Sequence, residues 1–314
     1  MVFGLFLNAA NTPGVAGGQA NLVAYNNLYS GAGGPCVGPT TLFSYNVTTV
    51  AGGQIWTSPI LSADGKKIAF VEASNSGAGT SVFHVLTWAS GAGNGVSATD
   101  SAVPGAGNAA SMTSVTYAGS GNTRSSPWID YATDSVYVAA NNGGVYKINN
   151  VFFGTPTLAG APWPVAVSPG RVLSSPVLDN GTGNLFVDDT RGLLFQTNTT
   201  TGAFKSLPVG LAGSTGAAIV DGPLVDPSNG TVFAFSANDG TSAVVVEADT
   251  TSLAELARAR IGQGGTTGTA LALYDGAFDN NYESGLPSPV SSSPLGPAPL
   301  TCRPGSTNGD LPAL

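Results

Sequence analysis

Four aspartates recur at equivalent places in the sequence, each closing a short apolar segment. Asp130, Asp179, Asp226 and Asp279 end the segments PWID, PVLD, PLVD and GAFD. Carboxylates that share one end of a set of strands could hold a cation such as Ca²⁺, or work in pairs as general acid and base on a glycosidic bond. The alternative is structural, because an aspartate after a strand readily accepts backbone N–H bonds in a turn. The shared position favours the structural role.

A single histidine and one acidic tract are the other places where chemistry is conceivable. A Ser-His-Asp triad would have to use His84, but no nucleophile motif such as G-x-S-x-G accompanies it. A packed or surface histidine is therefore expected. The tract VDDTRG (187–192) offers oxygens to Ca²⁺ but lacks the spacing of an EF-hand loop. We expect no catalytic residue and no cofactor, with Ca²⁺ at the aspartates left open.

Four tryptophans raise the question of glycan binding, since exposed aromatic rings can stack on sugars. Trp56 and Trp128 fall at equivalent positions of a repeat described below, which predicts that they pack between repeats. Trp163 lies between prolines in the segment APWPV and is, of the four tryptophans, the best candidate for exposure. It joins the four aspartates as a candidate binding residue.

The charge of the chain excludes one class of partner. Net charge is −8, and the four lysines are scattered rather than clustered. Binding to a phosphate backbone needs clustered Lys and Arg, so no nucleic-acid partner is expected. No apolar run reaches the roughly 18 residues of a membrane-spanning helix. A surface poor in Lys and Glu but rich in Ser, Thr, Asn and Gly is typical of secreted, periplasmic or cell-envelope proteins.

The two ends of the sequence leave several questions open. The start, MVFGLFLNAANTPG, has no basic region and too short an apolar core for a signal peptide. Either Met1 is not the biological start or an export signal has been removed. Cys36 and Cys302 could form a disulfide that joins the two ends, or be two unrelated thiols. The segment 284–314 is rich in Pro and Ser, which predicts an extended, poorly ordered tail after a folded region of residues 1–283.

A repeat organises the folded region. Copies begin near Pro59, Pro127, Pro176 and Pro223 at steps of 68, 49 and 47 residues, and a fifth starts at Asp275, 54 residues after Asp221. The longest step contains a loop-like insertion at 90–111. Each copy alternates apolar and polar residues in short segments separated by Gly/Asn turns, which indicates antiparallel strands. The segment ELARARI (255–261) is interpreted as a strand, with a helical turn as its alternative.

Four strands in 47–54 residues, repeated, predict an all-β fold of the β-propeller class, with about five recognisable blades and further strands before them. The closing strands of a fifth blade are not evident, so an incomplete ring is expected.

The order of these segments resembles known propeller repeats. LFSYNVTTVAGGQIWTSPILSADGKKIAF (42–70) follows the pattern of pyrroloquinoline-quinone-type (quinoprotein-like) and WD40-like repeats, with Asn46 in the Asp place and Trp56 in the Trp place. Segments such as TRSSPW (123–128) and VDGPLVD (220–226) are also similar to uncharacterised secreted bacterial propeller proteins. The resemblance spans roughly residues 20–280 and implies the fold more than a function, because propellers host enzymes, scaffolds and binders alike.

The resemblance also implies what a quinoprotein dehydrogenase would need. Those enzymes hold a quinone and a Ca²⁺ with a cluster of carboxylates, which the sequence does not display, so no quinone-dependent activity is expected. We predict a non-catalytic, exported propeller whose loops bind a protein or a polysaccharide at the cell envelope. The alternative is a hydrolase or lyase that acts on glycans with strand-end carboxylates such as Asp130 and Asp179.

Overall fold

The computed structural model describes residues 1–5, 12–27, 40–91, 93, 101–211, 219–263, 273–278 and 291–292. The regular elements in these ranges are strands, and no helix occurs in them. In chain order the strands are β1 Val2–Gly4, β2 Leu22–Asn26, β3 Thr40–Tyr45, β4 Gly53–Gln54, β5 Ile60–Leu61, β6 Lys67–Ser74, β7 Ser81–Thr87, β8 Ser111–Ala118, β9 Trp128–Asp130, β10 Ser135–Ala139, β11 Gly144–Asn149, β12 Thr157–Leu158, β13 Val165–Ala166, β14 Val177–Asp179, β15 Asn184–Asp188, β16 Leu193–Asn198, β17 Phe204–Pro208, β18 Leu224–Asp226, β19 Thr231–Ser236, β20 Ser242–Asp249, β21 Glu255–Gln263, β22 Gly276–Ala277 and β23 Ser291–Ser292.

The strands pair into antiparallel sheets that follow the repeat. From the N terminus we name them the N-terminal sheet (β1–β3), blade A (β4–β8), blade B (β9–β13), blade C (β14–β17), blade D (β18–β21) and the C-terminal pair (β22–β23). In blades C and D the four strands lie in sequence order, and blades A and B carry one additional short strand each. The all-β propeller class predicted from the repeat is confirmed.

Alternation along the second strand of each blade explains how the blades stack. In blade B, Val136 and Val138 pack with blade A in one apolar cluster. The residues between and after them, Tyr137 and Ala139, pack with blade C in another. Because successive side chains of a strand point to opposite faces, one strand contributes to both interfaces. Blade B is therefore buried on both faces by its neighbours, as the propeller architecture requires.

The same arrangement extends along the described chain. Phe43 and Tyr45 of the N-terminal sheet pack on Phe70 of blade A. Apolar residues of blade C meet those of blade D in a further cluster. Phe233 of blade D packs with Phe278, which directly follows β22. Burial of these faces removes apolar surface from water and is the main stabilising contribution of the fold.

Individual expectations about the elements have different outcomes. The segment ELARARI lies within β21, so its interpretation as a strand is confirmed. Ser291 and Ser292, inside the segment expected to be an extended tail, pair with Ala277 and Gly276. The remaining residues of 284–314, both cysteines and Asp279 lie outside the described residues, and the predictions made for them stay predictions. Within the described residues, no helix is long and apolar enough to span a membrane.

Candidate functional site

Three of the four candidate aspartates make the same set of turn hydrogen bonds. In each, one carboxylate oxygen accepts the backbone N–H two residues on, and the other accepts a side-chain donor three residues on. The donors and distances are Ala132 N at 3.0 Å and Thr133 Oγ1 at 2.5 Å for Asp130, Gly181 N at 2.8 Å and Thr182 Oγ1 at 2.8 Å for Asp179, and Ser228 N at 2.9 Å and Asn229 Nδ2 at 2.7 Å for Asp226. These carboxylates order the turn between the first and second strands of their blades.

Removal of one of these aspartates is expected to reduce the stability of the protein measurably. Asp130→Ala and Asp179→Ala are each expected to lower the free energy of unfolding by about 1–2 kcal/mol, because two donors lose a charged acceptor. Asp130→Asn keeps an oxygen for the N–H of Ala132 and should lose less. Urea denaturation of the three variants measures the difference. Equal stability of Asp130→Ala and the wild type would contradict the structural role.

Trp163, the best candidate for an exposed tryptophan, is not exposed. Its side chain is buried, with 7% of its surface accessible, and its ring lies 5.4 Å from that of Tyr137. The flanking prolines suggested a surface loop, but Val165 follows in β13, which pairs with β11. This pairing returns the chain to the sheet, and Trp163 packs in the cluster between blades B and C. Its ring is therefore not available to stack on a sugar.

Serine hydroxyls link successive blades at the end opposite the aspartate turns. The first strand of each blade begins next to the Ser-Pro pair of its repeat, and we call this end of the blades the Ser-Pro end. The N–H of Ser58 donates to Oγ of Ser126 at 3.1 Å, and the N–H of Ser126 donates to Oγ of Ser175 at 2.8 Å. Ser125 and Ser174, which directly precede Ser126 and Ser175, bond within their own blades. Oγ of Ser125 accepts the backbone N–H of Ala139, and Oγ of Ser174 accepts that of Asp188.

Blade D departs from this pattern and opens a cleft. Gly222 takes the place of Ser175, and a Cβ on it would lie 2.8 Å from the backbone oxygen of Ser175. Asp221 takes the place of Ser174, and Asp275 takes it again at the start of the fifth copy. A cavity of about 340 Å³ lies here, lined among others by Trp128, Asp221, Asp275 and the rings of Pro127, Pro176 and Pro223.

Two carboxyl groups meet in the cleft. The side chains of Asp221 and Asp275 are hydrogen-bonded to each other, so one of the pair holds a proton. Burial, followed by the hydrogen bond and the charge of Asp221, raises the pKa of Asp275 to about 8. This pair brings blade D into contact with the chain that follows it.

A third carboxylate, that of Asp188, is buried beside the pair without a hydrogen-bond partner. Its side chain is fully buried, and neither carboxylate oxygen has a donor. Burial first, and then the charges of Asp189, Asp275 and Asp221, raise the pKa of Asp188 well above its usual range. A buried polar group normally has a partner, because leaving it unpaired costs free energy. Among the buried carboxylates that the structure describes, that of Asp188 is the one left without a hydrogen-bond partner.

The alternation of β15 shows which way Asp188 faces. Phe186 packs in the cluster shared with blade D, whereas Val187 packs in the cluster shared with blade B. Asp188 follows Val187 and therefore lies on the same face as Phe186, toward blade D. Blade D begins at Asp221 on that side. The neighbouring Asp189 is satisfied, because it accepts Oγ of Ser168 at 2.6 Å and two backbone N–H groups.

This arrangement does not match the chemistry of a glycosidase or of a metal site. Two carboxyls in hydrogen-bond contact are closer than the roughly 5 Å that the retaining mechanism needs. Asp130 and Asp179 are held in turns at the other end of the blades. Among the described residues, no group of three His, Cys, Asp or Glu is arranged to hold a metal ion. With Asp279 outside those residues, Ca²⁺ at the strand-end aspartates stays a prediction.

The sequence contained a signal for the cleft that its analysis did not use. Thr57, Ser125 and Ser174 occupy one repeat position with hydroxyl side chains, and Asp221 and Asp275 replace them with acids. Because only two copies have a carboxyl group in place of the hydroxyl, this position indicates a function specific to those copies rather than a structural role shared by all repeats. Asp188 was visible only as part of the tract VDDTRG.

Comparison with known proteins adds little to the geometry. No family model and no curated protein matches the chain. Solved structures do match, among them the crystal structure of BamB from Moraxella catarrhalis, with a TM-score of 0.46 and 16% sequence identity. That match covers 87% of this chain, which spans 65% of the BamB chain. The evidence for the propeller fold is the repeat of four-stranded sheets itself.

Proposed function

We propose that the protein is a binding propeller that holds a cationic side chain of a protein partner, Arg or Lys, in the cleft at the Ser-Pro end of blades B to D. The observation that carries this proposal is the pair of carboxyl groups, those of Asp221 and Asp275, that line the cleft together with the ring of Trp128. A guanidinium or ammonium group supplies hydrogen-bond donors and a positive charge to these carboxyl groups, and its charge also acts on the buried carboxylate of Asp188 behind them.

The walls of the cleft suit such a group. Trp128 offers an aromatic ring, and its Nε1 has no hydrogen-bond partner. A cation over a tryptophan ring gains about 0.5–2 kcal/mol, depending on how far it is removed from water. The rings of Pro127, Pro176 and Pro223 can cover the hydrocarbon part of a long side chain while its charge lies at the carboxyl groups.

Proton release should accompany binding. The pKa of Asp275 is raised to about 8, so this group carries a proton at neutral pH in the unliganded protein. A bound cation stabilises the ionised carboxylates and displaces the proton. Affinity for a cationic ligand is therefore expected to rise with pH up to about 8 and then to level off, because above that pH no proton has to leave.

The wider setting of this function rests on composition. The sparse Lys and Glu of the chain support an exported protein of the cell envelope, and we propose that its partner is another envelope protein. The loops at the Ser-Pro end would then form the rim of the interface around the cleft, since loops on rigid scaffolds commonly carry binding. A polysaccharide partner has less support, because Trp163, its aromatic candidate, is buried.

Binding of a minimal cation tests the proposal. We expect N-acetyl-arginine amide to shift the indole ¹H–¹⁵N signal of Trp128 in a saturable titration at pH 8. The signal of Trp163, buried between blades B and C, serves as the internal control. Asp221→Asn together with Asp275→Asn should weaken binding at least tenfold, and N-acetyl-glutamine amide should not bind.

Specific outcomes would contradict this function. A Trp128 shift that is the same for the arginine and glutamine amides would show that charge is not recognised. Unchanged affinity in the doubly substituted, folded protein would place the ligand elsewhere. Asp64→Asn, a change at an exposed turn of blade A, is the matched control for net charge. Peptides of about nine residues with a central Arg then identify the sequence preference of the partner.

A further inference from the structure

The single histidine of the chain joins an exposed serine to a buried glutamate. In blade A, Nδ1 of His84 lies 2.8 Å from Oγ of Ser114, and Nε2 lies 2.9 Å from Oε2 of Glu72. The three residues come from adjacent strands, β8, β7 and β6, and His84 is directly opposite Ser114 in the register. The sequence separates them by 12 and 30 residues, so no short motif could reveal the arrangement.

The hydrogen bonds of Glu72 determine where the protons lie. Its carboxylate accepts the backbone N–H groups of Thr49 and Val50 at 2.9 and 3.2 Å and the hydroxyl of Thr49 at 2.5 Å. A carboxylate surrounded by donors is an acceptor, so Nε2 of His84 must donate its proton to it. In the neutral imidazole, Nδ1 then has a lone pair that accepts the hydroxyl proton of Ser114.

The three hydrogen-bonded residues differ in their exposure to solvent. The side chains of Glu72 and His84 have no accessible surface, whereas Ser114 is exposed. The imidazole is held against the ring of Phe70, at 5.1 Å between centroids. A buried imidazole that is oriented by a buried carboxylate and hydrogen-bonded to an exposed hydroxyl is the arrangement that activates a serine nucleophile.

We propose that Ser114 is a nucleophilic serine activated by His84, with Glu72 as the positioning residue, and that this site cleaves small carboxylic esters. It is separate from the cationic cleft and independent of the proposed binding function. Met112 and Thr116 lie on the same face of β8 as Ser114, one on either side. Met112 is partly buried and offers an apolar contact for a short acyl chain.

The reaction follows from the proton positions. Oγ of Ser114 bonds to the ester carbonyl carbon while its proton passes to Nδ1 of His84. The imidazolium returns this proton to the alcohol oxygen as the carbon–oxygen bond breaks, which leaves an acyl-serine. Water then attacks the acyl carbon, gives a proton to Nδ1 and releases the acid, and Ser114 recovers its proton. Glu72 stays ionised and stabilises the imidazolium in both steps.

Labelling with a fluorophosphonate probe tests the nucleophile. In the intact chain we expect one phosphonate group, mapped by mass spectrometry to Ser114, with fluoride as the leaving group. Ser114→Ala should abolish labelling and lower hydrolysis of 4-nitrophenyl acetate at least tenfold. Ser111→Ala, at an exposed serine of the same strand, is the matched control and should change neither. A folded wild type that is not labelled at Ser114 overturns the proposal.

Nitrogen-15 spectra of the imidazole test the role of Glu72, and the single histidine makes assignment unnecessary. The neutral tautomer with its proton on Nε2 is expected in the wild type at pH 8 and in Ser114→Ala. Glu72→Gln should reduce the share of this tautomer and slow labelling of Ser114, although thermal melting shows a folded protein. An imidazole with its proton on Nδ1 in the wild type would exclude His84 as the base.

Discussion

Replacing Glu72 with alanine is expected to lower the free energy of unfolding by about 3 kcal/mol or more, because several buried donors lose a charged acceptor and each buried donor left unsatisfied costs about 1–3 kcal/mol. The change leaves the N–H groups of Thr49 and Val50 and Nε2 of His84 without an acceptor in the interface between the N-terminal sheet and blade A. Urea denaturation measures the loss as a lower midpoint at an unchanged slope.

A second glutamate provides the contrast for this experiment. Glu255 pairs with Arg258 at 2.8 Å on the exposed strand β21. Exposed ion pairs contribute about 0–1 kcal/mol, so Glu255→Ala should have a small effect. Losses of equal size in the two variants would show that the buried network does not stabilise the N-terminal part of the propeller.

Stability should fall as pH rises, which is the opposite of the trend that most carboxylates produce. The folded-state pKa values of Asp188 and Asp275 lie above their ordinary values, so between about pH 4 and 8 the folded protein binds more protons than the unfolded chain. Their contribution to stability is therefore complete below pH 4 and is lost as pH rises toward 8 and beyond. We expect Tm to fall by about 5 °C or more between pH 5 and pH 9.

Substitution with asparagine isolates this effect. A variant with Asp188→Asn and Asp275→Asn has no carboxyl to titrate at these positions, and its melting temperature should change much less over the same pH range. Asp64→Asn is the control, because a hydrogen bond from Ser62 lowers the pKa of Asp64 and moves its titration below this window. A wild-type Tm that is constant or rises from pH 5 to 9 would contradict the raised pKa values.

The fold could be predicted from the sequence because each repeat contains the local signals for its own strands and turns. Alternation along segments such as SVYVAA and the turns after Asp130 and Asp179 are local properties, and local properties recur when blades recur. The strand interpretation of ELARARI was confirmed for the same reason, since the fourth-strand position of the repeat outweighed the helical propensity of its residues.

The sites were less accessible because they depend on relations between blades. Ser114, His84 and Glu72 become neighbours only through the register of three strands. Trp163 looked exposed because its flanking prolines are visible in the sequence and the pairing of β13 with β11 is not. The contact between Asp221 and Asp275 depends on how the start of the fifth copy packs against blade D. The repeat period does not specify this packing.

The alternate packing of each second strand has a consequence for how substitutions combine. Val138 and Ala139 are neighbours in the chain, yet they belong to different interfaces, one with blade A and one with blade C. Val138 instead shares its cluster with Val71, 67 positions earlier. Energetic coupling in this protein should therefore follow the interfaces rather than the chain, so that covariation between positions is strong across one repeat length and weak between adjacent residues.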